Sequence, residues 1–234
     1  MEIYEYSFDE IEELADRENL RYNKERLEKI IPLDAYDYAE KMLGITFDWK
    51  YLTPTGKLDG ATFFNDCTFY VWPCRFYEKL PCAETLLNDH TPEEINIRSN
   101  TVIIEKSILD MHDEYKETFT VCHECGHVVC HPKGFDMATC EKWEPYEYGS
   151  FKKMTPVQKH EQQANRFAAA LLMPRDITIK IFEKLINSNI LLEEEESFRI
   201  SVFIDHMADR YKVSEQAMLY RLSDLKLISI LSTQ

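Results

Sequence analysis

The residues best suited to chemistry form one short motif, His123-Glu124-Cys125-Gly126-His127. Each residue of an α-helix advances about 100° around its axis, so a helical motif places His123 and His127 about 40° apart on one face. Two imidazoles so placed can bind one metal ion, and the adjacent glutamate can act as a general base. The motif therefore predicts a catalytic zinc centre with His123 and His127 as ligands and Glu124 as the catalytic carboxylate.

A catalytic zinc site needs a third protein ligand and one open coordination position. The extended motif H-E-x-x-H-x-x-G-x-x-H is excluded, because Cys130 and Lys133 occupy the positions of its glycine and its third histidine. We expect the third ligand to be Glu161, which lies on the next strongly amphipathic segment. Asn165 follows one turn later, where its amide oxygen could accept the spare N–H of a ligand imidazole, that of His123.

The remaining cysteines and histidines favour no second metal site. Cys122 and Cys125 would lie on the opposite helix face from the histidine pair, and no second C-x-x-C completes a zinc knuckle. We interpret them as buried free thiols. Five other histidines lack a partner at ligand spacing and are expected at the surface or at helix caps: His90, His112, His131, His160 and His206. Candidates for the group that stabilises the oxyanion of the reaction are Tyr146, Tyr148 and His160.

The elements that must position these residues follow from the spacing of apolar side chains. Helical periodicity covers residues 9–31, 34–43, 113–131 and 157–173, and short aromatic or β-branched runs between 45 and 105 predict a small twisted sheet. We expect three parts. These are an acidic helical extension over 1–33, a metallopeptidase domain over 34–175 and a helical segment over 176–234 that resembles a helix-turn-helix.

The composition indicates a folded protein and argues against some classes of partner. The 234 residues include 42 acidic and 27 basic side chains, a net charge of -15, and 12% are aromatic, which is enough apolar material for a folded core. The acidic excess argues against nucleic acid as the main partner. The chain lacks a run of about 18 apolar residues and a signal-peptide pattern, so we expect no membrane association, a cytoplasmic location and reduced cysteines.

Two motifs resemble those of the ImmA/IrrE family of zinc metallopeptidases. FTVCHECGH at 119–127 is similar to F-T-x-x-H-E-x-G-H, and EQQANRFAAALLMP at 161–174 is similar to E-x-x-A-N-x-F-A-A-x-L-L-M-P. VSEQAMLYRLSDLKLI at 213–228 resembles the helical segment that usually follows. The resemblance implies an α+β, zincin-like fold with a small sheet packed on helices, followed by the helix-turn-helix-like segment.

The same resemblance implies the substrate. It points to a partner protein, typically a helix-turn-helix repressor of a mobile element or stress response, that is cut at one site. In a zincin-like fold, the strand around Thr101–Glu105 would be the edge along which an extended substrate lies.

Two other classes of function stay open at this point. Residues 202–225 have the pattern of a helix-turn-helix with Ser214 as N-cap, which would suit a DNA-binding regulator. From Ser201 onward, however, four basic side chains are matched by four acidic ones. The third class is a zinc-bound but non-proteolytic module, such as one half of a toxin and antitoxin pair.

Overall fold

The computed structural model describes residues 4–54, 56–73, 91–131, 155–186 and 196–228. The fold is α+β, as the sequence predicted. The chain divides into two compact units, one formed by Ala35–Ala164 and the other by Met1–Asp34 with Asn165–Gln234. The proposed parts 1–33, 34–175 and 176–234 stay a prediction.

The unit Ala35–Ala164 begins with a helix, continues with strands and ends with helices. Helix α1 (Phe8–Asn23) belongs to the other unit. The first helix here is α2 (Ala35–Tyr38), which continues as a π-helical turn over Ala39–Leu43 and ends at Gly44 with φ 65°. The strands are β1 (Thr46–Lys50), β2 (Gly60–Phe63), β3 (Cys67–Val71), β4 (Glu93–Ile97) and β5 (Thr101–Glu105). Two helices follow, α3 (Lys106–Asp110) and α4 (Glu114–Cys130).

The strands form a three-stranded sheet in the order β1-β5-β2 and a separate, antiparallel two-stranded sheet of β3 and β4. β1 pairs with β5 in parallel and β2 pairs with β5 antiparallel. The expectation that Thr101–Glu105 offers an edge to substrate is therefore wrong. Both sides of this central strand are already hydrogen-bonded to neighbouring strands, so no backbone groups remain along it for another chain.

The motif helix α4 begins where the sequence predicted. The Asp113 carboxylate caps its N-terminus by accepting a hydrogen bond of 3.0 Å from the Lys116 amide. Val121, Cys122 and Cys125 are fully buried, as expected for the side turned to the core. Helix α5 (Pro156–Leu172) is the second amphipathic helix, with Ala164, Phe167, Ala168 and Leu171 all at 0% exposure. Because the apolar side of α4 and of α5 is buried in the core, the polar residues of the two motifs lie on the remaining faces of these helices.

The other unit contains α1 (Phe8–Asn23), α6 (Arg175–Ile186), α7 (Glu196–Tyr211) and α8 (Glu215–Asp224). Ser7 and Glu10 form a capping box at the start of α1, and Ser214 caps α8 as predicted.

Two buried arginines bind carbonyls at the end of α5. Arg26 donates to Leu171 at 2.9 Å, and Arg221 donates to Met173 at 3.0 Å while pairing with the buried Glu12 carboxylate. These contacts anchor the last turn of α5.

Among the described residues, no helix combines the length and the apolar character that crossing a membrane requires.

Candidate metal centre

Three side chains from α4 and α5 converge on one point. The Nε2 atoms of His123 and His127 lie 3.1 Å apart, and the Glu161 carboxylate oxygens lie 3.2 Å from His123 Nε2 and 3.5 Å from His127 Nε2. Tetrahedral ligands at zinc bond lengths of about 2.1 Å would be separated by roughly 3.4 Å. The spacing of these donors therefore fits a single ion, and they are the one group of this kind among the residues described.

The electrostatics of the site suit metal binding at neutral pH. Burial, reinforced by the neighbouring His123, lowers the pKa of His127 to about 3. Burial alone would raise the pKa of Glu161, but the hydrogen bond from His123 and the charges of both imidazoles lower it to about 2. A neutral imidazole and an ionised carboxylate are the forms in which these groups bind metals. The metal-ligand forms of His127 and Glu161 are thus present near pH 7.

Glu124 lies on the same helix as the two converging histidines and packs against strand β2. Its side chain is buried, and burial raises its pKa to about 7 despite the opposing effect of His123. The Thr62 hydroxyl donates a hydrogen bond of 2.6 Å to Glu124 Oε2. A Cβ atom at Gly60 would lie 2.6 Å from Oε1, so this glycine leaves room for the carboxylate. A carboxyl group with a pKa near the working pH is suited to both accepting and releasing a proton.

Helices α4 and α5 approach closely at Gly126. A Cβ atom there would lie 2.9 Å from both the Cα and the carbonyl oxygen of Ala164, which are backbone atoms of α5. Ala164 is one turn beyond Glu161, so the missing side chain at position 126 helps to set the distance from Glu161 to the histidines. The sequence pattern by itself gave no role to Gly126.

The variant Gly126→Ala tests this close approach. In an isolated helix, alanine is favoured over glycine by about 1 kcal/mol. Here we expect a net loss of about 1–3 kcal/mol in the free energy of unfolding, because the new methyl group must push α4 and α5 apart. We also expect weaker metal binding. Urea denaturation and zinc titration measure the two effects, and an unchanged or raised stability would contradict the tight packing.

His131 and His160 are both buried, so neither lies on the surface. His131 is the C-cap residue of α4, which is the other position expected for it. His131 Nδ1 lies 3.2 Å from His127 Nδ1, and His131 Nε2 lies 3.0 Å from Gln163 Oε1. The His160 ring stacks on His131 with 4.1 Å between ring centroids. The sequence did contain one signal, since His131 repeats the four-residue spacing of the motif. His112 and His206 are exposed, as predicted.

The structure also bears on Asn165 and on two cysteines of the motif helix. Asn165 is exposed one turn after Glu161, and its hydrogen bond to His123 stays a prediction. Cys122 and Cys125 are fully buried on the apolar side of α4 and are not joined in a disulfide. The following residues lie outside the part of the chain that the structure describes: Cys74, Cys82, His90, Cys140, Tyr146 and Tyr148.

Comparison with protein families places the candidate site within a known domain. No curated protein matches the sequence significantly. The family model for peptidase M78, described as the IrrE N-terminal-like domain, matches residues 107–223. This range is half of the chain and includes α4, α5 and the three converging side chains, and it supports a function of the metallopeptidase type. The predicted resemblance is confirmed: the chain belongs to the peptidase M78 family of IrrE N-terminal-like domains.

Proposed function

We propose that this protein is a zinc-dependent metalloendopeptidase that cleaves a partner helix-turn-helix repressor. The observation that carries the enzymatic part is the convergence of His123, His127 and Glu161 beside the buried carboxylate of Glu124. Membership of the peptidase M78 family supports the same chemistry.

The set of donors favours zinc as the metal. Two imidazole nitrogens and one carboxylate oxygen are the ligands found in many catalytic zinc sites, where a fourth position stays open. Harder ions such as Mg²⁺ prefer oxygen ligands throughout. When bound here, zinc would supply a Lewis acid that acidifies water and polarises a peptide carbonyl.

Glu124 is proposed to move the proton. Its carboxylate would take a proton from the attacking water and deliver it to the nitrogen of the leaving amine. Thr62 binds one carboxylate oxygen at 2.6 Å, and this hydrogen bond limits the orientations available to the side chain. Gly60 allows the carboxylate to lie close to the backbone of β2.

We place the extended substrate along β2 instead of β5. β2 pairs with β5 on one side, and no strand among the described residues pairs with its other side. Gly60 and Thr62 bring this strand directly against Glu124. A peptide added to such an edge by main-chain hydrogen bonds would pass next to the catalytic carboxylate.

The proposed substrate class rests on family resemblance and is consistent with charge. A net charge of -15 would attract a basic DNA-binding protein. The test is to examine the adjacent reading frames for a helix-turn-helix repressor, to incubate it with zinc-loaded protein and to map products by mass spectrometry. We expect one cleavage that a chelator abolishes. An intact repressor would contradict this substrate.

Helices α7 and α8 favour DNA binding as a second candidate function, because Ser214 caps α8 as in a helix-turn-helix. Its Arg221, however, is buried against Glu12 and so is not presented to a phosphate backbone. A DNA-binding regulator would shift duplex DNA in a salt-dependent way, and a non-proteolytic module would bind the repressor without cutting it.

A further inference from the structure

We propose that His131 is a positioning residue that fixes the tautomer and orientation of His127, and that Gln163 in turn fixes His131. This inference deepens the proposed function, because it assumes that His127 binds the metal. The motif and the family model do not by themselves assign a role to either residue. Both are buried, with exposed fractions of 9% for His131 and 5% for Gln163.

The three side chains form one continuous path of hydrogen bonds. His127 Nδ1 lies 3.2 Å from His131 Nδ1, and His131 Nε2 lies 3.0 Å from Gln163 Oε1. His127 points its other nitrogen, Nε2, at His123 and Glu161. His131 therefore binds the Nδ1 side of the His127 ring, while the Nε2 side faces the candidate metal centre.

If His127 binds a metal, every hydrogen bond along this path must be donated in the same direction, from His127 through His131 to Gln163. Nε2 of His127 must offer a lone pair to bind a metal, so the proton of its neutral ring lies on Nδ1. That N–H can donate only if His131 Nδ1 accepts, which places the proton of His131 on its own Nε2. The Gln163 amide oxygen can accept from this N–H and cannot donate. The amide thus specifies the tautomers of both rings.

Packing holds the path in place. The His160 ring stacks on His131 at 4.1 Å with 28° between the ring planes. Gln163 comes from α5, next to Ala164, where that helix contacts Gly126. One helix therefore supplies both the third proposed ligand, Glu161, and the amide that ends the path.

The test compares His131→Phe with His131→Asn in the full chain. Phenylalanine fills the space and can stack on His160 but accepts no hydrogen bond, whereas the asparagine Oδ1 lies near the position of Nδ1. Loss of an outer partner typically lowers metal affinity about 10- to 100-fold. We expect that loss for His131→Phe, measured by competition with a chromophoric zinc chelator, and affinity close to that of the wild type for His131→Asn. The absorption spectrum of the Co²⁺-substituted protein should change in the first variant only.

Gln163→Leu provides an independent test. It should weaken zinc binding less than His131→Phe does, and it should add nothing in the double variant, because Gln163 acts through His131. Thermal unfolding of the metal-free proteins identifies a variant that fails to fold, in which case the other variants decide. Equal zinc affinity for wild type and His131→Phe, or equal losses for phenylalanine and asparagine, would overturn the inference. A wild-type protein that binds no zinc would instead overturn the proposed function itself.

Discussion

Replacing Glu124 with glutamine should lower the rate of repressor cleavage by roughly 10²- to 10⁴-fold while zinc stays bound. Glutamine keeps the size of the side chain and can still contact Thr62, which lies 2.6 Å from the carboxylate. It cannot accept the proton of the attacking water. Binding of zinc and of substrate should therefore change little, and the loss should appear in kcat.

Single-turnover cleavage of the repressor, followed on gels and by mass spectrometry, measures this loss. Glu114→Gln is the matched control, because Glu114 lies on the same helix but is exposed. Zinc content must be measured on both variants. Cleavage by Glu124→Gln at the wild-type rate would remove Glu124 from the mechanism.

Replacing Glu161 with alanine should abolish the stabilisation that zinc gives to the fold. Zinc at about 1,000 times its dissociation constant stabilises a protein by about 4.1 kcal/mol if only the folded state binds it. For a chain of this size, that corresponds to a rise in Tm of roughly 8–16 °C. Without the Glu161 carboxylate, one of the three converging donors is missing, and the two imidazoles alone should hold zinc weakly.

Calorimetry with and without added zinc measures the difference in Tm for wild type and for Glu161→Ala. Glu13→Ala, at an exposed position on α1, should retain the full zinc-dependent rise. A wild-type rise that persists in Glu161→Ala would mean that the third ligand is another residue. Elemental analysis of the purified wild-type protein identifies the metal.

Local sequence patterns predicted the elements that carry the site, because helical periodicity and capping depend on neighbouring residues. The repeat of apolar positions located α4 and α5 within one residue of their observed starts, and Ser214 signalled the start of α8. The four-residue spacing of His123 and His127 placed both rings on one helix face before any packing was known. Strand β4 is not one of the aromatic or β-branched runs that predicted the sheet, since Glu93, Glu94 and Asn96 lack the character typical of strands.

The position of Glu161 depended on more than local pattern. Amphipathic spacing showed which side of α5 is apolar and favoured Glu161, on the other side, as the third ligand. Such spacing does not determine the distance between the two helices. The contact of Gly126 with Ala164 sets that distance, and it exists only once α4 and α5 pack.

The sequence by itself determined the helices, the predicted metal-binding motif and the α+β class, because each depends on the spacing of residues close together in the chain. Tertiary structure alone decided that β5 is central, that Gly60 and Thr62 of a distant strand enclose Glu124, and that His131 is buried between His127 and Gln163. Strand order and burial result from contacts between segments far apart in sequence. No local periodicity encodes which of several compatible segments will meet.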